Sequence, residues 1–295
     1  MDSIKTPKDN IILVPIDFST SSETALEHAV NIANLFDNEI TVMHVIGESL
    51  LGSLFASGLQ KSQVQATVSD RLDKVVDAFK EKHPNLTINK RIVEGKVYKA
   101  ILDSTEELNC DSVVVGFNGM SGVEQFLGST TSRVLKKSTV PVVIVKDGNT
   151  RTNYKNILLP IDLTKESRQK VSWAVHVAKK YDATVHVIME VEDDEFLRKK
   201  VNAALNQVKN ILEKNEVKHV CKILSDEEYP DHFGGDVIKY GDEIDADLVM
   251  IMTQKETSVR EFFLGSFAKD VIKLSNRPVM AINPKSTGTI SIIGY

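Results

Sequence analysis

Only two cysteines, Cys110 and Cys221, stand in a chain of 295 residues, too few and too far apart for a disulfide framework. Tryptophan occurs once, and no run approaches the roughly 18 consecutive apolar residues that a membrane-spanning helix needs. Positive charge is not in excess, since the net charge is −5 and the pI about 5.9. A nucleic-acid surface would need clustered Lys and Arg, so no nucleic-acid partner is expected. The opening MDSIKTPKDN is polar and lacks the apolar core of a secretory signal. These absences point to a soluble, cytoplasmic protein. The histidines at 28, 44, 83, 176, 186, 219 and 232 are scattered, and none pairs with a Cys or carboxylate at metal-ligand spacing. No metal site is expected. Neither a G-x-S-x-G elbow nor a P-loop lysine pattern occurs, which leaves nucleophilic hydrolysis and Walker-type ATPase chemistry without support. No catalytic residue is assigned, and the reading is of a binding protein rather than an enzyme.

What the chain does have is a repeat. Residues 12–45 match 157–190 without a gap at a constant offset of 145, which carries Pro15 onto Pro160, Asp17 onto Asp162, Ala29 onto Ala174, Ala33 onto Ala178 and Asp37 onto Asp182. The copies also close alike, with LGS at 127–129 and 264–266, then VPVVIV at 140–145 and RPVMAI at 277–282. A period near half the chain length means a duplicated globular domain, each copy long enough to bury its own core. The polar, turn-rich DGNTRTN at 147–153 reads as the linker. The expected boundaries are 9–146 for the first copy, 154–284 for the second and 285–295 for a tail.

Within each copy, apolar runs alternate with helical periodicity. IILVPI at 11–16 has the continuous apolarity of a strand buried on both faces of a parallel sheet. Ser19, Thr20, Ser21 and Ser22 are N-cap candidates for an amphipathic helix carrying Ala25, Leu26, Ala29, Ile32, Ala33 and Phe36. Further strands are expected near 40–46, 88–93, 112–115 and 140–145, with helices over 63–82, 97–108 and 129–137. The second copy repeats the order with strands near 156–161, 184–189, 218–224, 247–252 and 278–282. Such alternation predicts an α/β protein of two tandem open parallel five-stranded sheets with helices on both faces.

In an open parallel sheet, ligands sit beyond the carboxyl ends of the strands where strand order reverses. Asp17 ends the first strand of the first copy, and Gly116-Phe-Asn-Gly119 ends the fourth. Gly128–Ser129 then opens a helix. Glycines let backbone amides approach an anion, and the helix N-terminus adds free N–H groups and a favourable dipole. Ser129, Thr130 and Thr131 add hydroxyls, and Asp17 can accept hydrogen bonds from a ribose. Glycines at this spacing also fit two plain structural roles, ending a strand at Gly116 and capping a helix at Gly128.

On the PIDFS strand end, the GFNGMSGVEQFLGS segment and the closing VPVVIV strand, the chain resembles tandem two-domain members of the universal stress protein family. The resemblance covers nearly the whole chain. It implies a Rossmann-like, adenine nucleotide α-hydrolase-like fold and a site for ATP, or AMP or ADP, with Mg as a possible companion. Pro15, Asp17 and Val45 would line the adenosine side. Val115, Gly116, Gly119, Gly128, Ser129, Thr130 and Thr131 would line ribose and phosphates. The family's ATP-binding branch places nine residues between its second and third glycines, whereas eight lie between Gly119 and Gly128 here.

The second copy departs further. Counting back from Gly265 puts Met252 and Lys255 at the glycine positions, Phe267 and Ala268 replace the hydroxyls of Thr130 and Thr131, and Glu190 falls on Val45. No nucleotide is expected there, although Lys255 leaves room for a different anion. By resemblance, Val140–Val145 and Pro278–Ile282 would pair within the chain as an internal pseudo-dimer, with further homodimerisation open and protein partners unidentified. The leading expectation is a stress-response protein that signals by adenine-nucleotide occupancy of its first copy. The alternatives are a nucleotide-independent interaction module with both sites vestigial and, lacking its signature loop, a hydrolase of the adenine-nucleotide type. Gly47–Gln60 reads as a segment packing on the protein or a lid, and 287–295 as an added edge strand or a buried tail.

Overall fold

Apolar runs become strands, and the amphipathic stretches between them become helices. The computed structural model describes residues 10–48, 60–117, 128–164, 166–191, 194–225, 228–229, 231–253 and 264–284. The chain divides into two units, Met1–Gly148 and Asn149–Tyr295. The first contains β1 (Ile11–Pro15), α1 (Thr20–Phe36), β2 (Glu39–Gly47), α2 (Lys61–Lys82), β3 (Ile88–Gly95), α3 (Val97–Glu107), β4 (Ser112–Phe117), α4 (Ser129–Lys137) and β5 (Val142–Lys146). The second contains β6 (Asn156–Pro160), α5 (Glu166–Tyr181), β7 (Thr184–Val191), α6 (Glu195–Lys214), β8 (Lys218–Ser225), α7 (Phe233–Glu243), β9 (Leu248–Met252), α8 (Ser266–Leu274) and β10 (Val279–Ile282).

In the first half the strands lie in the order β3-β2-β1-β4-β5, and in the second in the order β8-β7-β6-β9-β10. Neighbours within each half run parallel. β1 explains its own composition, because Ile12, Leu13 and Val14 are fully buried between layers, as are Ile157, Leu158 and Leu159 of β6. Right-handed crossovers put α1 and α2 on one face and α3 and α4 on the other. α3 accordingly packs on α4, and α7 on α8.

Local chemistry sets the element ends. Ser19 caps α1 by accepting from the Ser22 amide, and Asp37 ends it in the left-handed region at φ 56°. Asp182, its repeat partner, does the same after α5 at φ 49°. An aspartate tolerates this conformation better than most residues, which accounts for its recurrence. β5 starts at Val142, two residues later than the apolar run suggests. The Ser138 hydroxyl donates to the Val140 carbonyl (2.7 Å), and Pro141 has no N–H for a ladder.

Part of the linker belongs to the second half. Asn149 donates to the Asn276 carbonyl at 2.6 Å, and Arg151 reaches Asp245 (2.6 Å) and Asp247 (3.2 Å). Most of the Gly47–Gln60 segment and the whole 287–295 tail lie outside the described residues.

Candidate functional site

Strand order in the first half reverses between β1 and β4, so the crevice opens beyond their carboxyl ends. Pro15 closes β1 and is half-buried, Val45 lies half-buried near the end of β2, and Val115 is buried in β4. Asp17 leaves β1 in a tight turn in which the Ser19 amide (3.0 Å) and the Ser19 hydroxyl both donate to Oδ1. Burial alone would push this carboxyl up. The bonds from Ser19, with Ser22, outweigh it and hold the pKa below the ordinary carboxylate value. Asp17 is therefore ionised at neutral pH, an acceptor at the mouth of the crevice.

Gly116 is half-buried in β4, and α1 explains its lack of a side chain. A Cβ there would lie 2.4 Å from the Ser21 carbonyl carbon and oxygen and 2.6 Å from the Ser22 nitrogen. The opening turn of α1 rests directly on the strand, so this glycine has a packing reason independent of any ligand. Gly128 is the opposite case. It is the N-cap of α4, its φ is −48°, and a Cβ there would meet none of the described residues within 4 Å. Gly128 has no side chain with which to cap α4, and the first turn, with Ser129, Thr130 and Thr131, carries no acidic residue. The helix start thus presents backbone amides and a positive dipole end. Gly119 and Met120–Leu127 lie outside the described residues.

The second half has the same frame and different contents. Strand registers fix the equivalences. Ile12 pairs with Ser112 as Ile157 pairs with Leu248, which sets Met252 level with Gly116 and Thr253 level with Phe117. Ile12 pairs with Ile40 as Ile157 pairs with Val185, which sets Glu190 level with Val45. Asp162 keeps the turn, accepting from the Thr164 amide (2.9 Å) and hydroxyl. Gly265 again starts α8 without a side-chain cap, its amide 3.2 Å from the Thr253 carbonyl. The Thr253 hydroxyl is buried and has no hydrogen-bond partner among the described residues. Phe267, where the first half has Thr130, stacks on Phe233 at 5.1 Å. Lys255 lies outside the described residues.

Lys170 is the residue that sequence reading missed. It corresponds to Ala25 and is 3 % exposed, and its ammonium donates to the Pro160 carbonyl. Burial lowers its pKa to about 8, against the nearby Asp162, which acts to raise it. The signal was present in the repeat. Ala25, Ala29 and Ala33 share one helix face, and only the first of their counterparts, Lys170, Ala174 and Ala178, is charged. A second missed group, Phe18, His44 and Arg71, lies beside Asp17. Among the described residues there is no group of three His, Cys, Asp or Glu that could hold a metal, and no helix long and apolar enough to cross a membrane.

Order, register and crevice define a duplicated Rossmann-like α/β protein. The chain belongs to the universal stress protein family, whose sequence profile matches residues 10–146 and again 153–283. Among its relatives, a universal stress protein of Methanocaldococcus jannaschii is 32 % identical over 157 residues, 47 % of this chain and 95 % of that one. The Bacillus subtilis universal stress protein YxiE is 31 % identical over 146 residues, 46 % of this chain and 99 % of its own length. A universal stress protein of Archaeoglobus fulgidus, known from its crystal structure, superposes with a TM-score of 0.77 at 23 % identity, covering 94 % of this chain and 99 % of that one. At that identity the superposition supports the fold alone.

Proposed function

We propose that the first half binds ATP or a related adenine nucleotide, with or without Mg, and that its occupancy is the signal of a cytoplasmic stress-response protein without catalytic turnover. The observations that carry this reading are an ionised Asp17 after β1 and, following the neighbouring strand β4, a helix start at Gly128 with no acidic residue in its first turn. A ribose needs the acceptor and phosphates need the amides. Pro15, Asp17 and Val45 would face the adenosine side, and Val115, Gly116, Gly119, Gly128, Ser129, Thr130 and Thr131 the ribose and phosphates. The second half is read as nucleotide-free, because Met252, Lys170 and Phe267 supply bulk where the first half has Gly116, Ala25 and Thr130.

Calorimetric titration of the whole protein with ATP, with and without Mg, tests this against the Gly128→Val variant. A Cβ at Gly128 meets none of the described residues within 4 Å, so valine is expected to be tolerated by the fold while adding bulk at the start of α4. One site per chain is expected in the wild type and none in the variant, at an unchanged melting temperature. No heat at millimolar ATP, or equal affinity in the variant, overturns the proposal. One observation favours a second reading, a nucleotide-independent interaction module. Because α1 packing already requires Gly116, that glycine does not by itself call for a ligand. Protein partners captured equally with and without nucleotide would support it.

A further inference from the structure

Asp17 is flanked by two residues that are each held from outside the turn. Before it, the Ile16 carbonyl oxygen lies 2.8 Å from Nδ1 of His44, which must carry the proton to bond there. After it, Phe18 adopts a left-handed backbone at φ 64°, a costly conformation for a bulky residue. Its ring stacks on His44 with centroids 4.6 Å apart, and the Arg71 guanidinium of α2 lies 4.3 Å from the Phe18 centroid. His44, Phe18 and Arg71 thus bind β2, the β1–α1 turn and α2 into one stack.

The second half shows that the turn does not need this stack. Leu163 stands in place of Phe18, is 48 % exposed and is not among the left-handed residues, and Met189 stands in place of His44. Asp162 nevertheless makes the same bonds to Thr164. A strained phenylalanine under a cation is therefore not required by the fold. It is present in the half that keeps the open crevice.

We infer that His44, Phe18 and Arg71 form a clamp that fixes the direction of the Asp17 carboxylate, and that the clamp sets how tightly the first half holds a ribose-bearing nucleotide. The second clause rests on the nucleotide reading above. Pre-orientation matters because a carboxylate that must be ordered on binding gives up part of its interaction to that ordering. These are positioning residues, and none is required to touch the ligand.

Two readouts on the intact protein separate the clamp from the ligand. In nucleotide-free protein, amide hydrogen exchange compares Ser19, behind the clamp, with Thr164, its unclamped counterpart. Ser19 is expected to exchange more slowly, and Arg71→Met, on an exposed helix surface, to speed it about tenfold while Thr164 stays unchanged. His44→Met and Phe18→Leu, which install the second half's residues, should act in the same direction. In calorimetry the same variants should weaken ATP binding about tenfold, the scale typical of outer-sphere positioning groups, and Arg71→Lys should recover most of the loss by restoring a cation over the ring. Equal exchange at Ser19 and Thr164 in the wild type overturns the clamp. Faster exchange with unchanged ATP affinity overturns its role in binding. If the wild type takes no ATP, the nucleotide reading and the binding clause fall together, and the exchange comparison alone decides the clamp.

Discussion

In the first half, the opening turn of α1 lies on Gly116 so closely that no side chain fits between helix and strand. In the second, Met252 stands at that register, and Lys170 replaces an alanine on the helix face toward the sheet. Met252 is half-buried at the end of β9, whereas Lys170 is buried. The lysine carries a charge inward and meets a backbone carbonyl and a nearby aspartate instead of water. What looks in the sequence like a lost ligand motif is accompanied, in the structure, by a buried ammonium that the fold itself satisfies.

The largest effect should come from forcing the second half's choice on the first. Gly116→Met puts a Cβ against the Ser21 and Ser22 backbone, which cannot rotate away, and should cost about 3 kcal/mol in urea unfolding. An unchanged midpoint would mean that α1 shifts freely off the strand.

Removing the buried charge is next. The folded pKa of Lys170, about 8, is below the ordinary 10.5 of an unfolded lysine. Below pH 8 both states carry the proton, and the burial penalty of about 3 kcal/mol is fully present. Between pH 8 and 10.5 the unfolded chain holds a proton that the folded chain has released, so stability rises with pH. Above 10.5 the contribution is flat. Lys170→Met should therefore stabilise the protein at neutral pH by about 2 kcal/mol, after losing the bond to Pro160, and this advantage should fade between pH 8 and 10.5. An advantage independent of pH would place the charge elsewhere.

The smallest effect sharpens the turn that both halves share. Ser19→Ala removes the α1 cap and one donor to Asp17, and should cost about 1 kcal/mol by thermal unfolding. A much larger loss would show that the turn holds up more than its helix.

Much of the fold was legible because the inner strands are continuous apolar runs between helical periods, and the gapless repeat over 12–45 and 157–190 checked the opening elements against their twins. Ends were less legible. Pro141 and Ser138 delay β5 through hydrogen-bond chemistry that hydrophobicity does not register. In the candidate site, Asp17 and the Gly128–Ser129 helix start were readable as position after a strand and before a helix. The reason for Gly116 was not, because it depends on how near α1 comes. Nor was the Arg71–Phe18–His44 stack, whose members come from three elements brought together only by packing.

The close seating of α1 on Gly116 also bears on how freely the first half can diverge. A Cβ at 116 meets helix backbone, so any substitution there must move α1 before it alters the strand end. The helix therefore polices this position whether or not a ligand does.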